Sequence, residues 1–523
     1  MMSVTTEIQP IGKGPFGDGG VVQGYVSDGW EPVRRAFEEN FALNMELGAQ
    51  LVIYHGENVV VDLHGKSSKQ KVYSADTIQN IYSSGKNMEA IVMALLVDRG
   101  VISYDDLVVK HWPEFGDGNK SDITIADVLR HEAGVPFFSD PDDMANPWKD
   151  TQLTCNCLES IAPMERAIER AGKWHLLGRR HYHAVTRGWL LSGIVRRVDS
   201  KGRTLAQFMR DEICIPLQLD IYCGIHPSEQ SLLEIANIKN MPFLGAGTII
   251  KAVAGGVSNH VSKRLGLKRT TTPAMNRNHI SNNVSHSTSQ SEEKSGDEDI
   301  KGIDDVISAS EVRGVSTCNP SSTTSPGAWG VNTKFPATGD PRTVRAIVKT
   351  FTSRKSPILR HNVAEWLLKD CRWVNSVAGR AQEVPSANMH ANARSIAKIN
   401  TLFINEGRVG DTQLMSRETV VQAFSDPIVE RDEFINAVCS FTQGGFSRMS
   451  DMESSMVPAD FKTVYDGFWG WGGLGGSWSL WDPHRRISFA YVMNARTLQT
   501  IGGPRGDRIM RAVQAVLDEK GIK

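Results

Sequence analysis

One stretch near the start of the chain reads as the opening of a helix: Ile81-Tyr82-Ser83-Ser84-Gly85-Lys86-Asn87-Met88-Glu89-Ala90. Ser83 and Lys86 stand three positions apart, so on a helix their side chains share one face. A serine hydroxyl is a poor nucleophile until a neighbour takes its proton, and a lysine whose pKa is lowered by burial is able to do this. Taken alone, the pair favours the simpler interpretation of a serine helix cap followed by a solvated lysine. The two later motifs described below shift the interpretation to a nucleophile and its activating base.

The sequence after Lys86 favours burial of this helix. Apolar residues recur at the spacing of one helix face, at Met88, Ile91, Val92 and Leu95. Gly100 then supplies a stop. A phosphate loop is excluded for Gly85-Lys86, because that motif needs Gly at position 80 and Ser or Thr at position 87, and both positions hold Asn.

Composition is typical of a globular protein with an ample core. The 523 residues are 40% hydrophobic and 22% charged, and 58 Lys and Arg against 59 Asp and Glu leave a net charge of −1. Nothing in this balance favours a nucleic-acid or membrane-surface partner. The longest apolar run, residues 90–97, is far shorter than a bilayer span, so no membrane span is expected.

Targeting and redox signals favour a cytoplasmic location without identifying an organelle. Residues 1–20 lack the basic region and the apolar region of a secretory signal. The seven cysteines are odd in number and scattered along the chain. This pattern favours reduced, mostly buried thiols over a disulfide framework.

Strand signals lie at the two ends of the chain, with helical signals between them. Residues 50–54 and 59–63 predict a hairpin, and 477–481 and 487–494 predict two later strands. Helices are predicted over 33–45, 187–198, 391–406 and 505–519, and the sequence 124–127 has the spacing of a capping box. The predicted fold class is α/β (α+β), with one antiparallel sheet built from both chain ends, flanked by helices, and a large inserted helical region.

Domain boundaries follow from the same pattern. Residues 20–105 and 430–523 are predicted to form the sheet domain, and residues 106–429 a mainly helical domain. Within the latter, about 263–325 are polar, with few large apolar residues. Such a segment cannot offset its own ordering entropy, so we expect it to be disordered and regard it as a candidate contact for a protein partner.

Two further motifs follow the Ser83 and Lys86 pair along the chain. The second is His181-Tyr182-His183-Ala184-Val185, and the third, just ahead of a strand, is Gly470-Trp471-Gly472-Gly473-Leu474-Gly475-Gly476-Ser477. A Ser-x-x-Lys motif followed by a tyrosine motif and a glycine-rich strand motif resembles class C β-lactamases, DD-peptidases and related serine esterases. The resemblance covers Gly24 to about Gln514, less the polar segment, and implies a β-lactamase/transpeptidase-like fold.

The resemblance implies a role for each motif. Ser83 matches the acyl-accepting nucleophile and Lys86 its activating partner. Tyr182 matches the tyrosine that exchanges a proton with the serine and the leaving group, and we expect the charge of Lys86 to lower the pKa of its phenol. The backbone N–H groups of Ser83 and Leu474 match the oxyanion hole.

The chain departs from the β-lactamase pattern at two positions. Trp471 stands where β-lactamases commonly have the lysine that recognises a substrate carboxylate, and Ala184 stands where class C enzymes have an asparagine. The Trp-Gly-Gly version resembles that of the β-lactamase-like carboxylesterases, so both changes favour an ester over a β-lactam or a peptide. Trp471, Gly472 and Gly473 are predicted to bind substrate, because the glycines leave the backbone open. Core packing of Trp471 is the alternative.

The predicted function is a serine hydrolase acting through an acyl-enzyme, an esterase on uncharged carboxylic esters. A transacylase, a β-lactam or D-amino-acid peptide hydrolase using the same site, and an inactive scaffold or interaction protein stay open as alternatives. The expected partner is a small-molecule ester or amide, and no cofactor or metal is expected.

The histidines near the second motif have structural interpretations. His181 and His183 have no zinc-type ligand cluster elsewhere in the sequence, so we expect one to pack and the other to be solvated. His131 is expected to be a structural histidine.

Overall fold

A ten-stranded antiparallel sheet is the centre of the computed structural model of the chain. The structure describes residues 9–11, 19–136, 161–173, 180–241, 371–432, 435, 437–454, 457–497 and 503–523. All of these residues lie in one unit of the chain, residues 1–251 with 334–523. The segment predicted to be disordered, about 263–325, lies outside the described residues.

The strands are named in chain order. They are β1 (Gln9–Ile11), β2 (Gly20–Val26), β3 (Gly48–His55), β4 (Asn58–Ser67), β5 (Gln79–Asn80), β6 (Ile221–Cys223), β7 (Lys239–Asn240), β8 (Met389–Ala391), β9 (Arg408–Val409), β10 (Thr412–Gln413), β11 (Ile428–Asp432), β12 (Ala437–Phe441), β13 (Ser447–Glu453), β14 (Trp469–Gly472), β15 (Trp478–Asp482), β16 (Ile487–Met493) and β17 (Ala495–Arg496).

The α-helices are named in the same way. They are α1 (Glu31–Ala42), α2 (Lys86–Asp98), α3 (Val108–His111), α4 (Ile125–Leu129), α5 (Ala162–Arg170), α6 (Thr186–Val198), α7 (Leu205–Met209), α8 (Pro227–Gln230), α9 (Arg372–Asn375), α10 (Val377–Ala381), α11 (Ala393–Asn400), α12 (Arg417–Phe424), α13 (Phe461–Val464) and α14 (Gly503–Glu519). Short 3₁₀ turns cover Tyr82–Gly85, Pro113–Gly116 and Thr401–Phe403, and a π-helical turn covers Arg210–Cys214.

The large sheet joins the two ends of the chain, as the sequence predicts. Its strand order is β1-β2-β4-β3-β16-β15-β14-β13-β12-β11. The two halves meet at the β3–β16 pair, where Ile53 lies opposite Phe489. The prediction of an antiparallel sheet built from both termini is therefore confirmed, whereas the domain boundaries at 105 and 430 stay a prediction.

Two apolar cores lie on the two faces of the sheet. Because side chains alternate along a strand, Phe489 and Tyr491 of β16 join the core beneath α1 and α14, while Ala490 and Val492 join the core around α2. The second core also holds α6 and α7. Helix α2 is thus buried on nearly all sides, and this burial matters for the lysine that opens it.

Several elements differ from the prediction. The expected helix over 391–406 is shorter, because Met389–Ala391 pair with β5 and β6 and the helix ends at Asn400. Strands β11 and β13 were not predicted, since Ile428–Asp432 and Ser447–Glu453 are rich in charged residues. The capping box at Thr124 and Asp127 is confirmed.

The described cysteines agree with the prediction of reduced thiols. Cys214, Cys223 and Cys439 are free and buried, and Cys371 is buried with its thiol 3.2 Å from Asn240 Oδ1. Among the described helices, none is both long enough and apolar enough to cross a membrane.

Candidate active site

Ser83 lies in a single 3₁₀ turn that leads directly into α2. Tyr82, just before it, adopts a left-handed backbone conformation with φ of 48°, which is uncommon for a residue with a large side chain. The side chain of Asn80 accepts a 2.7 Å hydrogen bond from the Tyr82 N–H and supports this conformation. As a result Ser83 keeps part of its surface exposed, while Ser84 and Lys86 are buried.

Lys86 is fully buried, and its ammonium nitrogen has three contacts. Nζ lies 3.2 Å from Ser83 Oγ and 2.9 Å from each of two backbone carbonyl oxygens, those of Ala184 and Ser386. Carbonyl oxygens only accept, so two N–H groups of Lys86 point at them in either protonation state. The third position of Nζ therefore faces Ser83.

Burial lowers the pKa of Lys86 to about 7. A substantial fraction of this lysine is then neutral near pH 7, whereas a solvated lysine with a pKa of about 10.4 is almost wholly charged. In the neutral form, the lone pair of Nζ is directed at the Ser83 hydroxyl. Lys86 is therefore placed to accept the proton of Ser83.

Tyr182 completes the group around Ser83. Its hydroxyl donates a 2.8 Å hydrogen bond to Ser83 Oγ. Although the tyrosine keeps some exposed surface, burial of the phenol raises its pKa above the usual value. The expectation that Lys86 lowers this pKa is wrong, since desolvation outweighs the nearby charges. Tyr182 is thus a neutral donor in the free protein.

Three buried histidines hold the backbone of the tyrosine motif. His183 donates through Nδ1 to the His181 carbonyl at 2.6 Å and accepts through Nε2 from the Val135 N–H at 3.0 Å. The His183 N–H donates to His131 Nδ1 at 3.0 Å. Because His181 and His183 are both buried, the expectation that one is solvated is wrong. His131 is a buried structural histidine, as predicted.

Trp471 forms an aromatic wall behind Tyr182. It is only 6% exposed, stacks on Phe441 at a centroid distance of 5.2 Å, and donates from its indole N–H to the Gly445 carbonyl at 3.1 Å. Its ring lies 6.1 Å from the Tyr182 ring and 5.9 Å from Lys86 Nζ. The tryptophan therefore packs tightly at the site, and substrate binding by Trp471, Gly472 and Gly473 stays a prediction.

The third motif lies against the serine turn. A methyl group at Gly473 would lie 2.3 Å from the Ile81 carbonyl oxygen, so only glycine permits this approach. Ser477 Oγ donates to the same carbonyl at 3.0 Å and lies 3.0 Å from Ser84 Oγ. Leu474 directly follows Gly473, and its N–H and that of Ser83 stay the predicted oxyanion donors.

A buried ion pair that sequence reasoning missed supports the site. Arg187 Nε lies 3.0 Å from Glu89 Oε2, and both side chains are fully buried. Ser386 Oγ donates to Glu89 Oε1 at 2.6 Å and accepts from the Gly188 N–H at 2.9 Å. These contacts hold the segment whose carbonyl binds Lys86. Glu89 could have been found from the sequence, because a carboxylate one turn after Lys86 on a buried helix requires a partner.

Among the residues that the structure describes, no group of three or more His, Cys, Asp or Glu side chains is placed to hold a metal ion.

Known proteins resemble this chain in sequence and in fold. Residues 34–231 match the family model described as Beta-lactamase. Over 197 residues the chain is 34% identical to "Esterase/beta-lactamase LipL" of Mycobacterium tuberculosis, a match that covers 37% of this chain and 42% of that protein. The chain thus matches less than half the length of this curated relative.

Two solved structures share the fold. A penicillin-binding protein homologue from Caulobacter crescentus superposes with a TM-score of 0.61 at 24% identity, covering 95% of this chain and 100% of the other. A family VIII carboxylesterase superposes with a TM-score of 0.59 at 22% identity, with the same coverage. These likenesses show that the chain has the fold of penicillin-binding-protein-like and carboxylesterase structures, and its residues 34–231 are similar to the Beta-lactamase family.

Proposed function

We propose that this protein is a serine hydrolase that acts through an acyl-enzyme on uncharged carboxylic esters. One observation carries the proposal: Ser83 Oγ is contacted both by a buried lysine amine at 3.2 Å and by a tyrosine hydroxyl at 2.8 Å. A nucleophile within hydrogen-bond reach of its base, with the base oriented by further groups, is the arrangement that covalent catalysis needs. The carbonyls of Ala184 and Ser386 do the orienting.

The acylation step follows from the protonation states. Neutral Lys86 takes the Ser83 proton as Oγ forms a bond with the ester carbonyl carbon. The resulting oxyanion accepts hydrogen bonds from the N–H groups of Ser83 and Leu474. When the tetrahedral intermediate collapses, the bond to the alcohol oxygen breaks, and the leaving alkoxide takes the phenol proton of Tyr182. The proton held by Lys86 then restores the phenol.

Deacylation uses the same groups in reverse. Water attacks the acyl carbon, and its proton passes to Lys86, which is neutral again at this stage. The carbon–Oγ bond breaks and Ser83 regains a proton, which releases the carboxylic acid. An alcohol in place of water makes the same sequence a transacylation.

The preference for uncharged esters rests on the fact that the two cations next to Trp471, Arg187 and Lys86, already have partners within the protein. Arg187 lies 5.1 Å from the Trp471 ring, but its charge is paired with Glu89 in full burial. Lys86 is committed to two carbonyls and to Ser83. Neither cation is available to a substrate carboxylate, and Trp471 offers an apolar ring where β-lactamases commonly have lysine.

Two assays test the proposal. Intact mass after treatment with a small fluorophosphonate should show one adduct on the wild type and none on Ser83→Ala, with peptide mapping to separate Ser83 from Ser84. For specificity, p-nitrophenyl pentanoate and mono-p-nitrophenyl glutarate have acyl chains of equal length and differ by a terminal carboxylate. We expect the higher kcat/KM for the pentanoate ester.

Two results would contradict the proposal. A folded wild-type protein without an adduct would favour the scaffold alternative. Equal or better turnover of the glutarate ester would overturn the preference for uncharged acyl groups.

A further inference from the structure

The residue whose N–H completes the oxyanion hole lies in a closed β-turn. The Gly476 N–H donates to the Gly473 carbonyl at 2.9 Å, so Leu474 and Gly475 are the two central residues of the turn. Gly475 has φ of +96°, as the third residue of a type II turn requires. The turn is also joined at its base, where the Gly473 N–H donates to the Ser477 carbonyl at 2.8 Å.

The direction of the Leu474 N–H is determined by this turn. The Gly473 carbonyl and the Leu474 N–H belong to one peptide unit, which is planar and trans. The two groups therefore point in opposite directions. Because the Gly473 oxygen is held inside the turn by Gly476, the Leu474 N–H is directed away from the turn.

A buried arginine from the C-terminal helix holds the next peptide unit of the turn. Arg505 of α14 is 1% exposed and donates from Nη2 to the Gly475 carbonyl. That carbonyl shares its peptide unit with the Gly476 N–H. Arg505 thus fixes the group that in turn fixes the Gly473 carbonyl.

The guanidinium itself is held by contacts from two other parts of the chain, Met45-Glu46 and Ala495. Nη1 donates to Glu46 Oε2 at 2.9 Å, to the Ala495 carbonyl at 2.9 Å and to the Met45 carbonyl at 3.1 Å. The other oxygen of the buried Glu46 carboxylate accepts a hydrogen bond from the Tyr491 hydroxyl. Arg505 is therefore held rigidly while Nη2 reaches the turn.

We propose that Arg505 is a positioning residue of the oxyanion hole, an inference that rests on the proposed function. Arg505 acts through two peptide units in series. In the first unit, Arg505 holds the Gly475 carbonyl, and the Gly476 N–H of the same unit holds the Gly473 carbonyl. The Gly473 carbonyl belongs to the second unit, whose Leu474 N–H faces the oxyanion. Hydrogen bonds in such a chain polarise one another, and a cation at one end strengthens the donor at the other. The strengthened Leu474 N–H donor stabilises the negative charge that develops on the oxyanion.

The test uses the full-length protein and four variants. Arg505→Met together with Glu46→Gln removes the guanidinium without leaving a buried carboxylate unpaired. Arg505→Lys keeps the charge but cannot bind the turn and Glu46 through two separate nitrogens. Arg508→Met is the matched control, since Arg508 lies one turn later on α14 and binds Asn40 and Glu39 instead. Ser83→Ala gives the background rate, and circular dichroism checks folding.

Two readouts separate positioning of the oxyanion hole from a purely structural role. One is the kcat and KM of each variant on a neutral p-nitrophenyl ester. The other is inhibition by an aryl trifluoromethyl ketone, which forms a tetrahedral oxyanion on the serine. We expect both Arg505 variants to lose about tenfold or more in kcat and in affinity for the ketone, with KM nearly unchanged, because a weakened donor acts on the oxyanion alone. Arg508→Met should match the wild type.

The outcomes are distinct. If folded Arg505 variants keep the wild-type kcat, or lose affinity for substrate and ketone alike, the inference is overturned while the proposed function stands. If Arg505→Met/Glu46→Gln does not fold, Arg505→Lys decides. A wild type with neither esterase activity nor a fluorophosphonate adduct overturns the proposed function and this inference with it.

Discussion

Lys86 Nζ lies 2.9 Å from the carbonyl oxygen of Ser386, a residue 300 positions later in the chain. The same nitrogen lies 2.9 Å from the Ala184 carbonyl. Two distant segments thus converge on one amine and leave a single direction for its lone pair, toward Ser83. Orientation of the base is therefore a property of the tertiary fold, since neither acceptor is close to Lys86 in the sequence.

The pH dependence of activity should report the protonation of Lys86. Its pKa is lowered to about 7, and the neutral amine is the form that accepts the serine proton. We therefore expect kcat/KM for a neutral ester to rise with pH through about 7 and to level off above it. Activity measured from pH 5.5 to 8.5 on the free enzyme checks this, and a flat profile would show that Lys86 is not the base.

Removal of the Tyr182 hydroxyl should impair catalysis and leave the fold intact. Tyr182→Phe keeps the ring, which packs 4.7 Å from His131 and 6.1 Å from Trp471, and deletes the hydrogen bond to Ser83. We expect kcat to fall by roughly 10²–10⁴-fold, the usual contribution of a positioned acid–base group. Tyr25→Phe, which removes an exposed hydroxyl, is the control. A large loss of thermal stability in Tyr182→Phe would instead assign the hydroxyl a structural role.

The buried pair of Glu89 and Arg187 should be essential for stability. Glu89→Ala leaves a fully buried guanidinium without its carboxylate and removes the acceptor of Ser386 Oγ. We expect the free energy of unfolding to fall by about 3–5 kcal/mol.

A matched control removes one member of an exposed ion pair. Lys462 and Glu453 are 57% and 50% exposed, so Lys462→Ala should cost at most about 1 kcal/mol. Urea denaturation of both variants gives the comparison. Similar losses for Glu89→Ala and Lys462→Ala would show that burial adds nothing to the pair near the active site.

Acid should destabilise the protein through its buried histidines. Burial lowers the pKa of His183 to about 3, whereas the unfolded chain has a histidine pKa of about 6.5. Below pH 6.5 the unfolded state therefore binds a proton that the folded state does not. The contribution of neutral His183 to stability is complete above pH 6.5 and is lost progressively as the pH falls toward 3.

His183→Gln tests this assignment, because glutamine does not titrate and has both a donor and an acceptor. We expect the variant to be less stable than the wild type at pH 7, and the difference to narrow as the pH falls toward 4. The free energy of unfolding at both pH values is the measurement. A constant difference would place the acid sensitivity at other groups.

Local sequence patterns are sufficient to predict the elements whose formation depends on a few neighbouring residues. The three-residue spacing of Ser83 and Lys86, the apolar face of α2 and the alternation in β16 each depend on a few neighbouring residues. The family resemblance that the three motifs carry implies that Tyr182 lies beside Ser83, and the structure brings these two side chains to 2.8 Å.

Other features depend on contacts that local patterns do not encode. Ser386 binds Lys86 through a backbone carbonyl, so its side-chain identity gave no signal. The raised pKa of Tyr182 results from the depth of its burial, which spacing alone does not reveal. Strands β11 and β13 form despite their charged composition, because each one pairs with neighbouring strands. Strand β11 pairs with β12, and β13 pairs with β12 and β14.

The β3–β16 pair also affects how the protein is made. Ile53 and Phe489 are neighbours in the sheet but are separated by most of the chain. At about 5–20 residues per second, β16 leaves the ribosome roughly 20–90 s after β3. During that interval the apolar side chains of β3 are exposed on the nascent chain, because β16 is not yet paired with them. The serine turn is also exposed, because Ser477 of the third motif has not yet been made. We expect the N-terminal half to need chaperone protection during translation, and the nucleophile to become reactive only after the third motif and β16 have been synthesised.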